Sequence, residues 1–443
     1  MGRTFENVKG TYDYLPEKQI LRENIKTTLQ QIFQKYGFSP LETPIVCYLD
    51  LLASKYSEGA DILNEMYKLT DQGKRELGLR YDLTITFCKI ISSNPYLPMP
   101  FKRYEIGKVF RDGPVKLGRN REFTQCDIDC VGVSSLLAEA EYLTMTEEAF
   151  RKLGLKIQIV YNNRKLLSGI ILAVFGGLNE SQVRKSIMLI DKIEKISHNE
   201  LISEFNEIGI SSDRVDEMCS LLKLSSTDLR KALDKYEHNS LIDEGLSQIN
   251  ELEYYLKGTP VEQCIVFAPY LARGIDIYTG TVWEIFLENR SIGGEDFLVS
   301  LGGGGRYDSI ITKFVDDGTE YPAVGMSFGL DVIYEALRLD QKKRDSQIVK
   351  LYVIPMGVAR EAFVFATELR NNGIPVEIEK RTQKIKKSMN YANKLNIPYV
   401  AVIGENEISS GQISIKNMST GESSQFDIHK IDTIACFLSS NNT

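Results

Sequence analysis

Histidine is scarce in this sequence. His198, His238 and His429 are the whole supply among 443 residues, and none lies in the glycine- and arginine-rich stretches where chemistry would be sought. A Ser–His or Cys–His nucleophile is therefore disfavoured there. No GxxxxGK[ST] occurs, so no P-loop holds a nucleotide. The seven cysteines (Cys47, Cys88, Cys126, Cys130, Cys219, Cys264 and Cys436) are odd in number, form no CxxC pair and have no neighbouring histidine. That argues against a disulfide framework or a zinc site and for reduced, mostly buried thiols. No apolar run approaches the roughly 20 residues that span a bilayer. The opening MGRTFENVKGTYDYLP has no apolar signal core, and Glu6 stands where a myristoylation signal wants Ser or Thr. A soluble, cytoplasmic protein with no membrane partner is expected.

What is present points to a globular chain, 43% hydrophobic and 26% charged. At 443 residues it exceeds one ordinary core, so two or three domains are expected. A net charge of -7 argues against a general nucleic-acid coat, but local patches decide such binding. One patch sets Lys102, Arg103, Lys108, Arg111, Lys116, Arg119 and Arg121 against Glu105 and Asp112. The other sets Lys380, Arg381, Lys384, Lys386, Lys387 and Lys394 against no acid between residues 380 and 394.

Along the chain, EKQILRENIKTTLQQIFQKYGF spaces Ile20, Ile25, Leu29, Ile32 and Phe33 at near-helical intervals and stops at Gly37, which predicts a first helix. SPLETPIVCYLDLL then reads as extended. Onward to about residue 150, apolar stretches alternate with turns (SEGAD, DQGK, RDGPVKLGRN), the pattern of an antiparallel sheet, closed by a helix near 135–153. Residues 165–257 carry helix-spaced Leu and Ile with many charges and read as an inserted helical module. QCIVFAPYLARG, TVWEIFLE and LGGGGRYD resume the sheet. From about residue 346, KLYVIPMG, IPVEIE and YVAVIGE alternate with helices, a hairpin turns through STGE, and a last helix ends a small α/β domain.

In a strand, Arg121, Phe123, Gln125, Asp127 and Asp129 share one face, while Glu122, Thr124, Cys126, Ile128 and Cys130 share the other. The first face offers a cation, a ring, an amide and two carboxylates, suited to a zwitterionic, partly aromatic ligand; alternation alone equally allows a solvated edge strand. The long turn DGPVKLGRN lies between Arg111 and Arg119, which are placed either to converge on a phosphate by bidentate contacts or to flank a simple surface loop. LARGIDIYTGTVWE sets Arg273 near Asp276 and Tyr278, a cation for developing charge and a hydroxyl for a polar side chain, or else an ordinary hairpin with an ion pair. GGGGRYD, by itself, says that backbone approaches something closely. Chemistry without His, metal cage or nucleophile rests on positioning and electrostatics.

KGTYDYLP (9–16), LRYDLT (79–84), FRDGPVKLGRNREFTQCDID (110–129), LARGIDIYTGTVWE (271–284), GGGGRYD (302–308) and PAVGMSFGLD (322–331) resemble, in order and nearly end to end, the motifs of histidyl-tRNA synthetases, members of the class II aminoacyl-tRNA synthetases. The wording LRYDLT and YTG resembles the archaeal and eukaryotic branch. The resemblance implies an α+β fold: a class II antiparallel sheet flanked by helices, with a helical insertion and a C-terminal α/β anticodon-binding domain. The implied division is 1–164 and 258–345 for the two parts of the catalytic core, 165–257 for the insertion and 346–443 for the C-terminal domain. It implies a ligase that converts histidine and ATP, with Mg²⁺ on the phosphates and no protein-held metal, into histidyl-adenylate and transfers the histidyl group to the 3′ end of histidine tRNA. A homodimer built partly through LETPIV is also implied.

Carried over residue by residue, Asp82 and Thr84 hold the α-amino group, and Gln125, Asp129 and Tyr278 bind the ligand and its imidazole. Arg111 contacts the α-phosphate and carboxylate, Phe123 stacks on adenine, Arg119 and Arg121 serve ATP, and Arg273 is the catalytic cation. Two positions depart from the family pattern. GLDV puts Val332 where the family has an ATP-gripping arginine, with Lys313 or Arg306 as candidates to reach that place, and Ile277 replaces a second tyrosine. These departures leave open an alternative, a non-charging paralogue that senses histidine or tRNA or regulates a partner.

Overall fold

A computed structural model of the chain describes residues 5–54, 61–116, 118–236, 239–273, 277–340 and 347–440; His238 and Asp276 lie outside the described residues. The chain divides into two compact units, one of Met1–Asp13 and Asn24–Gln341, the other of Tyr14–Glu23 and Lys342–Thr443.

The larger unit is built on an eight-stranded sheet. Its strands in chain order are β1 (Ser39–Pro40), β2 (Phe101–Phe110), β3 (Glu122–Val131), β4 (Ile157–Asn163), β5 (Ile265–Phe267), β6 (Thr281–Leu287), β7 (Gly302–Arg306) and β8 (Ala323–Gly329). Their spatial order is β1-β2-β3-β8-β7-β6-β4-β5. Only the two outer pairs, β1 with β2 and β4 with β5, are parallel. The hairpin of β2 and β3 pairs Arg103 with Asp129 and Glu105 with Asp127, and β8 adds Gly325 and Ser327 opposite the same two aspartates. Opposed residues share a face, so the register lays the charged face of β3 in rows across the middle of the sheet. β3 is thus an interior strand, which disposes of the edge-strand reading.

The first helix runs Pro16–Lys35, with proline at the position whose N–H has no helical partner. It ends before Gly37, whose φ of 80° is the left-handed conformation that glycine adopts without penalty. Ile25, Leu29, Ile32 and Phe33 are fully buried, and the Phe33 ring lies 5.6 Å from that of Phe328 on β8. The helix Leu137–Leu153 is the one expected near 135–153. The described residues of 164–256 form six helices, from Arg164–Phe175 to Ser240–Leu256. These two cross closely: a Cβ on Gly245 would lie 2.5 Å from the backbone N of Leu166. No single helix among the described residues is long and apolar enough to cross a membrane.

Two segments differ from the sequence expectation. LDLL, expected extended, is the helix Leu49–Ala53, which buries Leu52 completely. TITFCKIISS, expected within the sheet pattern, is the helix Thr84–Ser93. Its β-branched residues favour strand locally. The Asp82 carboxylate instead accepts the N–H groups of Thr84 and Ile85, at 3.1 and 3.0 Å, and Ile85, Thr86, Phe87 and Cys88 are all fully buried.

The smaller unit carries the five-stranded sheet of Val376–Ile378, Leu351–Met356, Tyr399–Gly404, Gln412–Asn417 and Ser423–Asp427 in that spatial order. The first three strands are parallel and the last two antiparallel. Helices Ala359–Asn371, Ile385–Lys394 and Ile431–Ser440 accompany them. All seven cysteines are free; five are buried, Cys264 is intermediate and Cys436 is exposed.

Candidate active site

A cavity of about 320 Å³ opens over the middle of the large sheet. Eight of the ten residues expected at the site line it: Asp82, Thr84, Arg111, Phe123, Gln125, Asp129, Arg273 and Tyr278. They come from four separated stretches of sequence. The two exceptions are Arg119, whose guanidinium is bound at 2.8 Å to Glu65, and Arg121, which lies 3.1 Å from Asp112. The turn that carries them is pinned at its base by the Arg121 N–H bonding to the Gly10 carbonyl at 2.9 Å. A Cβ on Gly10 would meet Val115 at 2.8 Å, which gives the opening KGTYDYLP motif its place.

The glycines of the floor explain how so many long side chains fit. A Cβ on Gly303 would stand 2.0 Å from Nη1 of Arg273 and 2.6 Å from the Trp283 carbonyl oxygen. One on Gly325 would stand 2.1 Å from Oδ1 of Asp129. GGGGRYD is therefore a bare strip of sheet on which Arg273 and its neighbours lie. Arg273 itself has φ 32°, a conformation that side chains rarely adopt and that clusters at functional sites. Its Nη1 donates to the Trp283 carbonyl at 3.1 Å, its Nε is 3.8 Å from Glu284, and its guanidinium lies 5.6 Å from the Tyr278 ring centroid. The cation and the ion pair are thus both present, on the cavity wall.

At the deep end, Arg103 is fully buried, and its Nη2 lies 2.6 Å from Oδ2 of Asp129. Burial works against the Arg103 charge, but Asp129, Asp127 and Glu105 outweigh it and raise its pKa. The hydroxyl of Tyr307 donates to Oδ1 of Asp129. Beside it, burial pushes the Asp127 carboxyl up to about 7, Arg103 opposing and Asp129 reinforcing the shift. Burial, and then the Asp129 charge, raise the Tyr307 hydroxyl well above its ordinary value. At the other end, the Arg111 guanidinium lies 5.2 Å from the ring centroid of Phe123, and its Nε donates to the Tyr81 carbonyl at 3.2 Å.

The residues that sequence reasoning left out of the site are Tyr307, Asp127, Ser327 and Glu284, all on the lining, and Arg103 beneath it. Asp127 was legible from strand alternation, and Tyr307 sits inside GGGGRYD. Only the register of two strands puts Arg103 under Asp129. Val332 lines the cavity between Gly118 and Gly329, and Ile277 lines it beside Tyr278. Arg306 does not reach Val332, contrary to one expectation. Its Nε and Nη2 each lie 2.7 Å from an oxygen of buried Glu139, so it anchors the strip from behind. Lys313 is not on the lining either.

The sequence pattern of the family described as Histidyl-tRNA synthetase matches residues 10–333, and that of the family described as Anticodon binding domain matches 350–435. The chain belongs to the histidyl-tRNA synthetase family. It is 48% identical over 420 residues to Histidine–tRNA ligase 1 of Bacillus cereus, covering 94% of this chain and 96% of that one. To Histidine–tRNA ligase 2 of Shouchella clausii it is 45% identical over 418 residues, covering 94% and 97%. The crystal structure of histidyl-tRNA synthetase from Nostoc sp. PCC 7120 superposes with a TM-score of 0.86 at 25% identity, over 99% of this chain and all of that one. The resemblance carried by the six motifs, and the α+β synthetase fold that it implied, are borne out. Nothing in these comparisons favours the non-charging alternative.

Proposed function

We propose that this histidyl-tRNA synthetase family member activates histidine with ATP and transfers the histidyl group to the 3′ end of histidine tRNA. What carries the proposal is the gathering of Asp82, Thr84, Gln125, Asp129, Tyr278, Arg111, Phe123 and Arg273 on one cavity, within a family match over residues 10–333. In the first step a carboxylate oxygen of histidine attacks the α-phosphorus of ATP; the new P–O bond forms as the bond to pyrophosphate breaks. In the second, the terminal ribose hydroxyl of the tRNA attacks the activated carbonyl, and AMP leaves. Neither step needs a protein nucleophile, because alignment and charge neutralisation do most of the work in such displacements.

Asp82 and Thr84 hold the α-ammonium group, and Gln125 binds the ligand from the same wall. Asp129 and Tyr278 face the imidazole, Phe123 stacks on adenine, and Arg111 and Arg273 flank the α-phosphate. Arg119 and Arg121 serve ATP from the turn above, by exchanging their carboxylate partners for phosphates. Mg²⁺ carried by the phosphates would offset triphosphate charge, and Glu284, on the lining beside Arg273, would be an acid in the same cavity. The division into core, insertion (165–257) and anticodon-binding domain (346–443) is supported by the run of helices from Arg164–Phe175 to Ser240–Leu256 and by the match over 350–435. A homodimer through the LETPIV segment is supported by Ile45, Val46, Tyr48 and Leu69, all exposed on or beside the three-stranded sheet of Val46–Tyr48, Glu76–Leu79 and Lys68–Thr70; exposed apolar patches mark association surfaces. The site of action is the cytoplasm, where translation draws on charged tRNA.

The test is ATP/pyrophosphate exchange with histidine, followed by charging of histidine tRNA. A site that pairs polar groups rejects ligands lacking them by large factors, so phenylalanine and leucine should support no exchange. Comparable exchange with either would overturn the assignment.

A further inference from the structure

Asn162 and Asn163 end strand β4, and Arg164 opens the helix that follows. None of the three lines the cavity, yet two of them grip the segment that carries Arg273. Asn162 is 1% exposed, and its Nδ2 donates to the carbonyls of Pro269 and Leu271, at 2.7 and 2.9 Å. A side-chain amide has two N–H groups, so both are spent on one short stretch; the reverse orientation would set the amide oxygen against the same two carbonyls. Oδ1 is buried with no hydrogen-bond partner among the described residues, a cost that the two N–H bonds must offset. Nη1 of Arg164 donates to the carbonyl of Ala272, the residue before Arg273, at 3.3 Å.

Backbone bonds complete the clamp. The Ala268 N–H donates to the Tyr161 carbonyl at 2.9 Å and the Arg164 N–H to the Gly280 carbonyl at 2.8 Å, so the chain is tied to the end of β4 on both sides of Arg273. The register places Tyr161 opposite Trp283 on β6, whose carbonyl receives Nη1 of Arg273. One strand end thus holds the backbone leading to Arg273, and its neighbour holds the guanidinium. That strand end is itself fixed: Asn163, with no exposure, accepts the Lys165 N–H at 2.9 Å and donates to Oε1 of Gln248 at 2.7 Å. The φ of 32° at Arg273 is a conformation that persists only where the surroundings impose it, and the bonds to residues 269, 271 and 272 are such surroundings.

We propose that Asn162, assisted by Arg164, is a positioning residue for the reaction: by holding the carbonyls of Pro269, Leu271 and Ala272 it imposes the backbone conformation that aims the Arg273 guanidinium at the α-phosphate. This rests on the reading of Arg273 as the cation of adenylate formation and deepens it. Because neither side chain lines the cavity, losing them should slow the step in which charge develops and leave the binding of histidine and ATP in place. A role in stability alone would lower the melting temperature without changing the rate of the folded protein.

The experiment measures ATP/pyrophosphate exchange for the native protein, Asn162→Ala, Arg273→Ala and the double variant. A misplacement of about 1 Å at a reacting group costs about 100-fold in rate, so Asn162→Ala should lose about that factor in kcat, with the KM for histidine and for ATP each changed less than about 3-fold. Since Asn162 acts through Arg273, the double variant should fall no more than about 2-fold below Arg273→Ala alone. A native kcat in Asn162→Ala, a KM that rises as far as kcat falls, or losses that multiply in the double variant would each overturn the inference. Should Asn162→Ala fail to fold by circular dichroism, Arg164→Met decides, because it frees the Ala272 carbonyl from a half-buried position: a kcat loss of about 10-fold that vanishes in the Arg273→Ala background supports the inference, and an unchanged kcat overturns it. Absence of histidine-dependent exchange in the native protein would instead sink the reading of the reaction, and this inference with it.

Discussion

Nη2 of Arg103 lies 2.6 Å from Oδ2 of Asp129, and the Arg103 side chain has no exposure to solvent at all. The pair sits under the candidate histidine pocket and fixes the acidic end of the site. Removing one member of a buried pair leaves an uncompensated charge and costs about 3–5 kcal/mol. Arg103→Met should therefore lower unfolding stability by about that amount, read from the urea midpoint. A midpoint within error of the native protein would show that the pair contributes no stability.

Arg273 is expected to act on charge that develops at the α-phosphate. Losing one preorganised cation of this kind costs about 100-fold or more in rate. Arg273→Ala should reduce kcat in ATP/pyrophosphate exchange by that factor, with the histidine dissociation constant nearly unchanged. Native exchange rates in the variant would remove Arg273 from the mechanism.

Gly303 should be as sensitive as Arg273 itself. Its added Cβ would stand 2.0 Å from Nη1 of Arg273 and 2.6 Å from the Trp283 carbonyl; the side chain can move aside, but the strand cannot without disturbing its pairing. Gly303→Ala is expected to lose exchange activity about 100-fold and to unfold at lower temperature than the native protein. Exchange at the native rate would count against the strip's role in seating the guanidinium.

Val332 tests the departure from the family pattern. Its side chain is 7% exposed and lines the cavity beside Gly118 and Gly329. An arginine there would add a charge-assisted phosphate contact, so Val332→Arg should lower the ATP KM about 10-fold at unchanged kcat. The native protein is expected to reach full exchange at saturating ATP, because Arg111 and Arg273 remain on the lining. An unchanged ATP KM in the variant would mean that this position does not reach the phosphates.

The basic patch of the smaller unit tests tRNA binding. Arg381 is committed to Glu379, at 2.9 Å. Burial alone would raise the Glu379 carboxyl, but hydrogen bonds from Arg381, Tyr352 and Ser388 hold it well below the usual carboxylate range. Lys384, Lys386 and Lys387 are exposed around the start of the helix Ile385–Lys394. Changing these three lysines to alanine should reduce the slope of log affinity for tRNA against log salt by about 2 to 3 and leave adenylate formation intact. An unchanged slope would show that the tRNA does not touch this face.

The sequence by itself determined the strand alternation that puts Phe123, Gln125, Asp127 and Asp129 on one face, the first helix with its glycine stop, the helical insertion and the α/β tail. These rest on periods of 2 and 3.6 residues and on the conformational freedom of glycine, which act over a few residues and need no distant partner. Local preference was misleading at TITFCKIISS, where the Asp82 carboxylate and burial on the sheet overrode the β-branched side chains. Tertiary structure alone decided which groups meet. Strand register put Arg103 beneath Asp129, the bare strip of Gly302–Arg306 made room for Arg273, and the ion pairs to Glu65 and Asp112 kept Arg119 and Arg121 off the cavity wall. Register and packing depend on chain segments up to about 200 residues apart, such as β3 and β8, and no local pattern encodes that the Asn162 amide meets the Pro269 and Leu271 carbonyls, because a side-chain donor is claimed by whichever acceptors the fold brings to it.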